Sequence, residues 1–201
     1  MTTRESMRLP LNCEVDYIGD FLSTEDADKL YQTLIDQHQI DKARLTIEAA
    51  GQWVETDSFK LVFVTERLNR LQSHPAGIHG KNIVWEGSMA RLRQRVEELT
   101  GQEFELAMCL YYPDGSHFAP YHSDQETSGH NTILPSLSLG EVREFCFREN
   151  STGEIFSLEL DHGSLLVMGD HCQARYEHTL PRNSAYNKGR INITFREPAF
   201  Q

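Results

Sequence analysis

The sequence predicts an α+β fold, mainly β, in which N-terminal helices buttress a C-terminal jelly roll. Two segments in the first half carry apolar residues at helical spacing. From Glu103 onward, short strand-like runs recur between turn residues at nearly regular spacing. Such a pattern is typical of a β-sandwich or jelly roll, with two sheets face to face. We expect one domain over residues 1–201, with the helices in 1–100 and the jelly-roll core in 101–201.

The two predicted helices each have a start or stop signal and one apolar face. Ser23 can cap the first helix, whose first turn also carries acidic residues. Its apolar face consists of Ala27, Leu30, Tyr31, Leu34 and Ile35. The second helix is predicted over Ser88–Leu99, and Gly101 is its natural stop. Its inward residues are Met89, Leu92, Val96 and Leu99.

The segment between the helices has a poor pattern. Leu45–Ala49 and Lys60–Thr65 are candidate strands, and Leu71–Asn82 is predicted to be loop because Pro and Gly interrupt it. After the second helix, eight strands are predicted, each bounded by turn residues. They are Phe104–Tyr112, Phe118–Ser123, Thr132–Leu139, Glu144–Arg148, Glu154–Leu160, Ser164–Met168, Ala174–Thr179 and Arg190–Glu197.

The composition is that of an ordinary globular protein, with 39% hydrophobic and 24% charged residues. It contains no run of about 18 apolar residues, and Met1–Pro10 has no apolar core, so we expect neither a membrane span nor a secretory signal. Four cysteines without C-x-x-C spacing indicate reduced thiols in a cytoplasmic protein. The formal net charge of −11 argues mildly against tight non-specific binding to duplex nucleic acid, although a local basic patch is compatible with it.

The candidate metal ligands begin with His122 and Asp124. They are two residues apart, so in an extended segment both side chains project from one face. A second histidine would complete a 2-His-1-carboxylate site, which suits non-haem Fe(II) and leaves coordination positions open. The candidates are His162, His171 and His178. The first two lie in predicted turns, and we select His178 because it lies in a strand-like run.

The terminal strand Arg190–Arg196 alternates polar with apolar residues. A half-exposed strand would show the same alternation, with its polar face in water. Beside a metal, the face with Arg190, Asn192 and Arg196 would instead form a pocket for a small dianion. Guanidinium groups hold carboxylates through paired, charge-assisted hydrogen bonds. The co-substrate 2-oxoglutarate fits such a pocket, with its keto-acid end on iron and its distal carboxylate on an arginine.

Six segments, in order and at matching separations, carry a resemblance to a known family. They are Cys109–Gly115, His122–Glu126, Ser136–Gly140, Asp161–Met168, Tyr176–Pro181 and Arg190–Arg196. They are spread over roughly Phe104–Pro198, about half of the chain, and resemble the AlkB family of Fe(II)/2-oxoglutarate-dependent dioxygenases. One position departs from the family's pattern, since Leu110 stands where the family often has Asn in contact with 2-oxoglutarate.

The resemblance implies a role for each matching residue. It implies that His122, Asp124 and His178 hold iron. Arg190 would pair with the distal carboxylate of 2-oxoglutarate, Tyr112 would donate a hydrogen bond to the same end, and Asn192 and Arg196 would lie near the co-substrate. Glu126 matches an acidic position close to the target base. The candidates for stacking on a base are Tyr121, Trp53, Phe118 and Trp85, although such residues are more often part of the core.

The resemblance also implies a reaction. Iron, dioxygen and 2-oxoglutarate hydroxylate an N-alkyl carbon with release of CO2 and succinate, and the product breaks down to formaldehyde and the free base. The substrate would be alkylated DNA or RNA, as a single strand or a flipped base. In this family the first half of the chain, residues 1–100 here, builds a substrate lid. We expect a monomer.

Two other functions stay open. The first keeps the oxygenase but changes its substrate to a small molecule or a protein side chain, as the net charge of −11 and the unmatched first half of the chain would allow. The second is a non-catalytic jelly-roll binding module with a vestigial metal site. A complete ligand set together with both arginines argues against that module, because binding alone does not require all five side chains.

Overall fold

The computed structural model describes residues 6–49, 51–71, 81–124 and 133–197. The helices are α1 (Thr24–Asp36), α2 (Glu66–Leu71), α3 (Gly87–Thr100) and the single turn α4 (Cys172–Arg175). A 3₁₀ turn covers Ile40–Lys42. The strands are β1 (Met7–Arg8), β2 (Val15–Ile18), β3 (Arg44–Ala49), β4 (Gln52–Val64), β5 (Lys81–Val84), β6 (Leu106–Tyr112), β7 (Ala119–His122), β8 (Leu134–Gly140), β9 (Arg143–Glu149), β10 (Ile155–Leu160), β11 (Leu165–Met168), β12 (Tyr176–Leu180) and β13 (Arg190–Arg196).

The strands of the described ranges form two sheets. The major sheet has nine strands in the order β1-β2-β11-β8-β13-β6-β4-β3, and β5 pairs with β4. The minor sheet has four strands in the order β10-β9-β12-β7. Only the pairing of β4 with β5 is parallel among these described strands. Non-consecutive neighbours such as β8 and β13 make this the jelly roll that the sequence predicted.

Two apolar clusters hold the layers together. The first joins the outer face of the major sheet to α1 and α3, and it includes Leu34, Val96 and Ile193. The second lies inside the roll and includes Phe147, Leu166 and Met168. Because β13 contributes Ile191, Ile193 and Phe195 to the first cluster, its alternate residues must face the interior of the roll. This alternation aims the polar face of β13 at the site described below.

The expected N-terminal helices are present as α1 and α3. The Ser23 hydroxyl accepts a hydrogen bond from the backbone N–H of Asp26, 3.1 Å away, which satisfies one free donor of the first turn. Gly101 ends α3 with a φ of 69°, in the left-handed region where glycine carries no steric cost. No helix in the described part of the chain is long and apolar enough to cross a membrane.

The structure differs from the prediction most in the segment between these helices. Strand β4 runs over Gln52–Val64 and includes Trp53 and Phe59, whereas the sequence predicted a strand only from Lys60. Its last four residues form an apolar run that is buried, because β5 and β6 flank the strand and α2 packs close by. Both α2 and β5 were missed, and residues 72–80 lie outside the described ranges.

The first half of the chain therefore supplies strands to the same sheet as the second half. Strand β2 pairs with β11 at one edge, and β4 pairs with β6 toward the other. A smaller difference occurs before β12, which begins at Tyr176 because the turn α4 occupies Cys172–Arg175. The eight strands predicted after residue 103 are all present as β6 to β13.

Truncation of Leu34 should test the packing of α1 on the major sheet. The Leu34 side chain is fully buried, so Leu34→Ala should lower the free energy of unfolding by about 2–5 kcal/mol. Leu99→Ala on α3 is the matched control: the sequence predicted Leu99 to face inward, but it lies at the last turn of the helix and is 49% exposed, so its truncation should cost less than about 1 kcal/mol. Urea unfolding measures both, and equal losses would contradict the packing described here.

Candidate metal and co-substrate site

Two strands of the minor sheet bring the candidate metal ligands together. His122 on β7 is paired in register with His178 on β12, and their ring centroids are 4.4 Å apart. Asp124 follows β7 directly, and its Oδ2 lies 3.5 Å from Nε2 of His178. One ligand atom from each of the three residues lies within 4.8 Å of the others. The three predicted ligands therefore form one cluster that could hold a metal ion.

A hydrogen bond orients the imidazole of His122, and burial keeps the imidazole of His178 in the form that can bind a metal. The Nδ1 of His122 lies 2.8 Å from the Pro120 carbonyl oxygen, so Nδ1–H donates there and the lone pair is on Nε2. The ring of His178 stacks on Phe145 at 5.4 Å between centroids. Burial lowers the pKa of His178 to about 4, so its imidazole is neutral at pH 7. A neutral imidazole is the form that coordinates metals.

Asp124 is held by two neighbours. Its backbone N–H donates to Oε1 of Gln173 on α4 at 2.9 Å, and the Arg196 guanidinium donates to its Oδ1. Burial alone would raise the pKa of Asp124, but Arg196 together with His178 and His122 more than offsets it, and the pKa lies below its usual value. Asp124 is therefore an ionised carboxylate at neutral pH, as a metal ligand must be.

Arg190 is a buried cation with an unfilled hydrogen-bonding position. It is 2% exposed, and its Nη2 donates to the Ser138 hydroxyl at 2.9 Å. Its guanidinium carbon lies 5.8 Å from the centroid of the Tyr112 ring. Among the described residues, Nε of Arg190 has no hydrogen-bond partner. Burial lowers the pKa of Arg190 to about 10, which still leaves it charged at pH 7. A buried cation of this kind suits an anionic ligand.

The polar face of β13 lines one small cavity together with the metal cluster. This inner cavity is bounded by His122, Asp124, His178, Tyr112, Arg190, Asn192, Thr194, Arg196 and mostly apolar neighbours. The Asn192 amide donates to the Ser136 hydroxyl at 2.7 Å, and Thr194 donates to Asn192 Oδ1 at 3.0 Å. The sequence left two interpretations of the alternation along β13, a strand with its polar face in water and a strand that lines a pocket. The structure agrees with the pocket, because Arg190, Thr194 and Arg196 are buried.

A larger outer cavity of about 500 Å³ opens beside the inner one. The two share Leu110, Tyr112, Ala119 and His122 in their walls. The outer walls are rich in rings and carry two charges, and they include Phe59, Tyr111, His117, Phe118, Asp57 and Arg182. The rings of Phe59 and Tyr111 meet edge to face at 5.8 Å, and the Arg182 guanidinium lies 4.6 Å from the Phe118 ring centroid. Both the size and the lining are those of a small-molecule or base pocket.

The remaining candidate residues have different positions. Trp53 is 61% exposed on β4 and lines neither cavity, although Asp57 on the same strand lines the outer one. Tyr121 also lines neither cavity, and the Arg148 guanidinium lies 3.9 Å from its ring centroid. Strand alternation explains this, because Tyr121 precedes the inward-facing His122 on β7. Trp85 stacks on Phe195 in the core. Glu126 lies outside the described residues.

Two residues of the site had no signal in the sequence. Gln173 lies next to Cys172 in α4 and fixes the backbone of Asp124. Arg143 is fully buried and donates hydrogen bonds to the carbonyl oxygens of four residues near the outer cavity and β13. These carbonyls belong to Tyr112, Asp114, His117 and Lys188. Both roles depend on long-range contacts that local sequence cannot reveal.

Protonation of His178 should destabilise the metal-free protein in acid. The pKa of His178 is about 4 in the folded protein and 6.5 without its surroundings. The unfolded chain therefore binds the proton first, and stability falls as the pH drops through this interval. His178→Gln cannot titrate, so between pH 7 and pH 5 it should lose about 2 kcal/mol less free energy of unfolding than the wild type. Urea unfolding of chelator-treated protein measures this, and equal losses would contradict a neutral, buried His178.

The residues present fit Fe(II) and 2-oxoglutarate. Two imidazoles and one carboxylate are the donor set of non-haem Fe(II) oxygenases. The unfilled hydrogen-bonding position on Arg190 suits a carboxylate of a keto diacid. The departure at Leu110 is also visible, because this apolar side chain lines the inner cavity where an amide would offer a hydrogen bond.

Comparison with known proteins gives the family. The family model described as the 2OG-Fe(II) oxygenase superfamily matches residues 14–196. The DNA oxidative demethylase ALKBH2 of Mus musculus is 28% identical over 197 residues, covering 93% of this chain and 80% of the relative. The alpha-ketoglutarate-dependent dioxygenase alkB homolog 3 of Rattus norvegicus is 34% identical over 125 residues, covering 57% of this chain and 42% of the relative. The matched chain thus spans less than half the length of that relative.

Among solved structures, OsALKBH1 has a similar fold. It superposes with a TM-score of 0.63 at 13% sequence identity, covering 94% of this chain and all of the other. At that identity the likeness supports the fold alone, and the family match supports the cofactors, which are Fe(II), 2-oxoglutarate and dioxygen. The chain therefore belongs to the 2OG-Fe(II) oxygenase superfamily, and within it the chain is similar to ALKBH2 and to alkB homolog 3.

Proposed function

We propose that this protein is an AlkB-type dioxygenase that oxidatively demethylates N-alkylated bases in DNA or RNA. The observation that carries the proposal is that the inner and outer cavities share His122 in their walls. A cluster fit for Fe(II) lies on one side, and a ring-lined cavity large enough for a base lies on the other. The name of one relative, a DNA oxidative demethylase, supports the same substrate class, and the name of another, an alpha-ketoglutarate-dependent dioxygenase, supports the chemistry.

Each residue of the inner cavity has a proposed task. His122, Asp124 and His178 bind Fe(II). Arg190 pairs with the distal carboxylate of 2-oxoglutarate, and Tyr112 donates to the same end. Arg196 keeps Asp124 ionised, and Asn192 and Arg196 complete the polar wall beside the co-substrate. When bound, the iron with 2-oxoglutarate and dioxygen supplies the oxidation of an N-alkyl carbon. Apolar neighbours such as Met108, Leu110 and Leu180 exclude water from that step.

The outer cavity suits a flat and cationic ring. Bases methylated at N1 of adenine or N3 of cytosine are planar and carry a positive charge at neutral pH. Phe59, Tyr111 and Phe118 offer apolar faces and edges. Asp57 offers a negative charge at the wall, whereas the positive charge of Arg182 lies over the Phe118 ring. A base within a duplex cannot reach this cavity, so the substrate is a single strand or a flipped base.

We further propose that the hairpin β3–β4 is the substrate lid expected in the first half of the chain. Over Gln52–Glu55 strand β4 pairs with β3, whereas its pairing with β6 begins only at Phe59. The apolar side chains of Ile47, Trp53 and Val54 are exposed on this part of the hairpin. Exposed apolar groups beside a ligand cavity are typical of a binding surface. Stacking on Trp53 would also compensate for the net charge of −11, which weakens attraction to phosphates.

An assay of formaldehyde release tests the proposed reaction. Protein loaded with Fe(II) should consume 2-oxoglutarate and release formaldehyde from oligonucleotides that contain 1-methyladenine or 3-methylcytosine. His122→Ala removes a metal ligand and should reduce the release by at least about 100-fold. The control is His171→Asn, at an exposed histidine whose backbone φ of 62° suits asparagine, and it should retain activity.

Two results would contradict the proposal. If 2-oxoglutarate is consumed without any change in the base, and the oligonucleotide does not bind at low salt, the substrate is a small molecule or a protein side chain. If the wild type does not decarboxylate 2-oxoglutarate at all, the protein is a binding module.

Trp53→Ala tests the proposed lid. Base–aromatic stacking is worth roughly 1–3 kcal/mol per base, so the substitution should raise KM for the methylated oligonucleotide about tenfold. The matched control is Ile155→Ala on β10 of the minor sheet, where the side chain is also 61% exposed. Steady-state kinetics with both variants gives the comparison. Equal KM values in the two variants would exclude a contact between Trp53 and the substrate.

A further inference from the structure

Two cysteines far apart in the sequence pack in the apolar cluster inside the roll. Cys13 lies between β1 and β2, and Cys172 begins α4. The residues on both sides of Cys13 are tied to the segment that carries Cys172. The Asn12 N–H donates to the Tyr176 hydroxyl at 2.9 Å, and the Gly169 N–H donates to the Glu14 carbonyl at 2.7 Å. These bonds hold the pair in place.

The two thiols differ in exposure and acidity. Cys13 is partly exposed, whereas Cys172 is buried. The Cys172 thiol and, more weakly, the Arg175 guanidinium lower the pKa of Cys13, although burial acts in the opposite direction. The same contact and burial raise the pKa of Cys172. A partly exposed thiol beside a cation reacts readily as a thiolate, and a neighbouring buried thiol is well placed to resolve the product.

We propose that Cys13 and Cys172 are a redox modification site that forms a reversible disulfide with hydrogen peroxide. The Cys13 thiolate attacks one peroxide oxygen, the O–O bond breaks, and hydroxide leaves, so Cys13 becomes a sulfenic acid. The Cys172 sulfur then attacks the Cys13 sulfur and breaks its S–O bond. The Cys172 proton leaves with the hydroxide as water. Overall two thiols lose two electrons, and one peroxide is reduced to two molecules of water.

The cysteine pair is connected to the proposed iron site through Gln173, the residue after Cys172. Cys172 is followed by Gln173, whose Oε1 accepts the hydrogen bond from the Asp124 backbone. The Gln173 amide also contacts Met168 in β11 at 3.6 Å. A bond between Cys13 and Cys172 would tie the β1–β2 connection to the turn that holds a candidate metal ligand. The disulfide proposal itself does not depend on the proposed demethylase activity.

Peptide mapping of oxidised protein tests the proposal. The protein is reduced, stripped of metal with a chelator so that iron does not react with peroxide, and treated with one equivalent of hydrogen peroxide. Thiol titration after denaturation should fall from four cysteines to two. Trypsin separates all four cysteines into different peptides, so mass spectrometry should find the Cys13 peptide joined to the Cys172 peptide. Dithiothreitol should release them.

Cysteine variants show which residue forms the sulfenic acid and which one converts it to the disulfide. Cys172→Ala should leave Cys13 as a sulfenic acid that dimedone labels, whereas Cys146→Ala, the control at a cysteine outside the pair, should not change the cross-link. In the wild type, iodoacetamide at pH 7 should alkylate Cys13 at least about tenfold faster than Cys146, whose pKa is raised by burial. The proposal is overturned if Cys13 proceeds to sulfinic acid without a cross-linked peptide. It is also overturned if Cys146 is oxidised equally or if the disulfides join separate chains.

Discussion

Buried positive charge along one strand is the constraint on which the rest of the structure depends. Arg190 and Arg196 lie on β13 at the centre of the major sheet, where a guanidinium without an anion is costly. Arg196 is balanced by Asp124 across the interior of the roll. Arg190 has a hydroxyl, a ring and no carboxylate among the described residues. The proposed pairing of Arg190 with a dianionic co-substrate would complete the balance of charge, and such binding would also stabilise the fold.

The two sheets divide the work of the site between them. The minor sheet carries His122 and His178 in direct register, which fixes their separation through backbone hydrogen bonds. The major sheet carries the charged wall on β13, whose opposite face is locked by the helices through Ile191, Ile193 and Phe195. The proposed metal ligands and the proposed co-substrate ligands thus lie on different sheets, and the apolar packing inside the roll sets the distance between them.

Much of this arrangement could be predicted from the sequence, for reasons that also explain the failures. The strands after residue 103 were predictable because turn residues bound each one, and His178 because it lies within such a strand. Strand β4 was predicted too short because its first half is exposed on both faces and so lacks a period. Tyr121 was a candidate for substrate contact but lines neither cavity, and strand alternation already separates its side chain from that of His122. Gln173 and Arg143 act through residues distant in sequence, so no local pattern marks them.

The role of Arg143 has a consequence for how such a protein diversifies. Its side chain binds carbonyl oxygens of Asp114 and His117, groups that every amino acid possesses. The turn also depends on particular residues, because the Asp114 carboxylate accepts a hydrogen bond from the Ser116 N–H at 2.8 Å, and a Cβ at Gly115 would lie 1.8 Å from the Asn183 carbonyl oxygen. Phe118 forms part of the outer cavity wall and takes part in neither contact. Mutation of Phe118 can therefore change the chemistry of that wall without removing the contacts that hold the loop. Ligand preference can therefore change during evolution through the outer cavity wall, while the metal cluster and its oxidation chemistry stay the same.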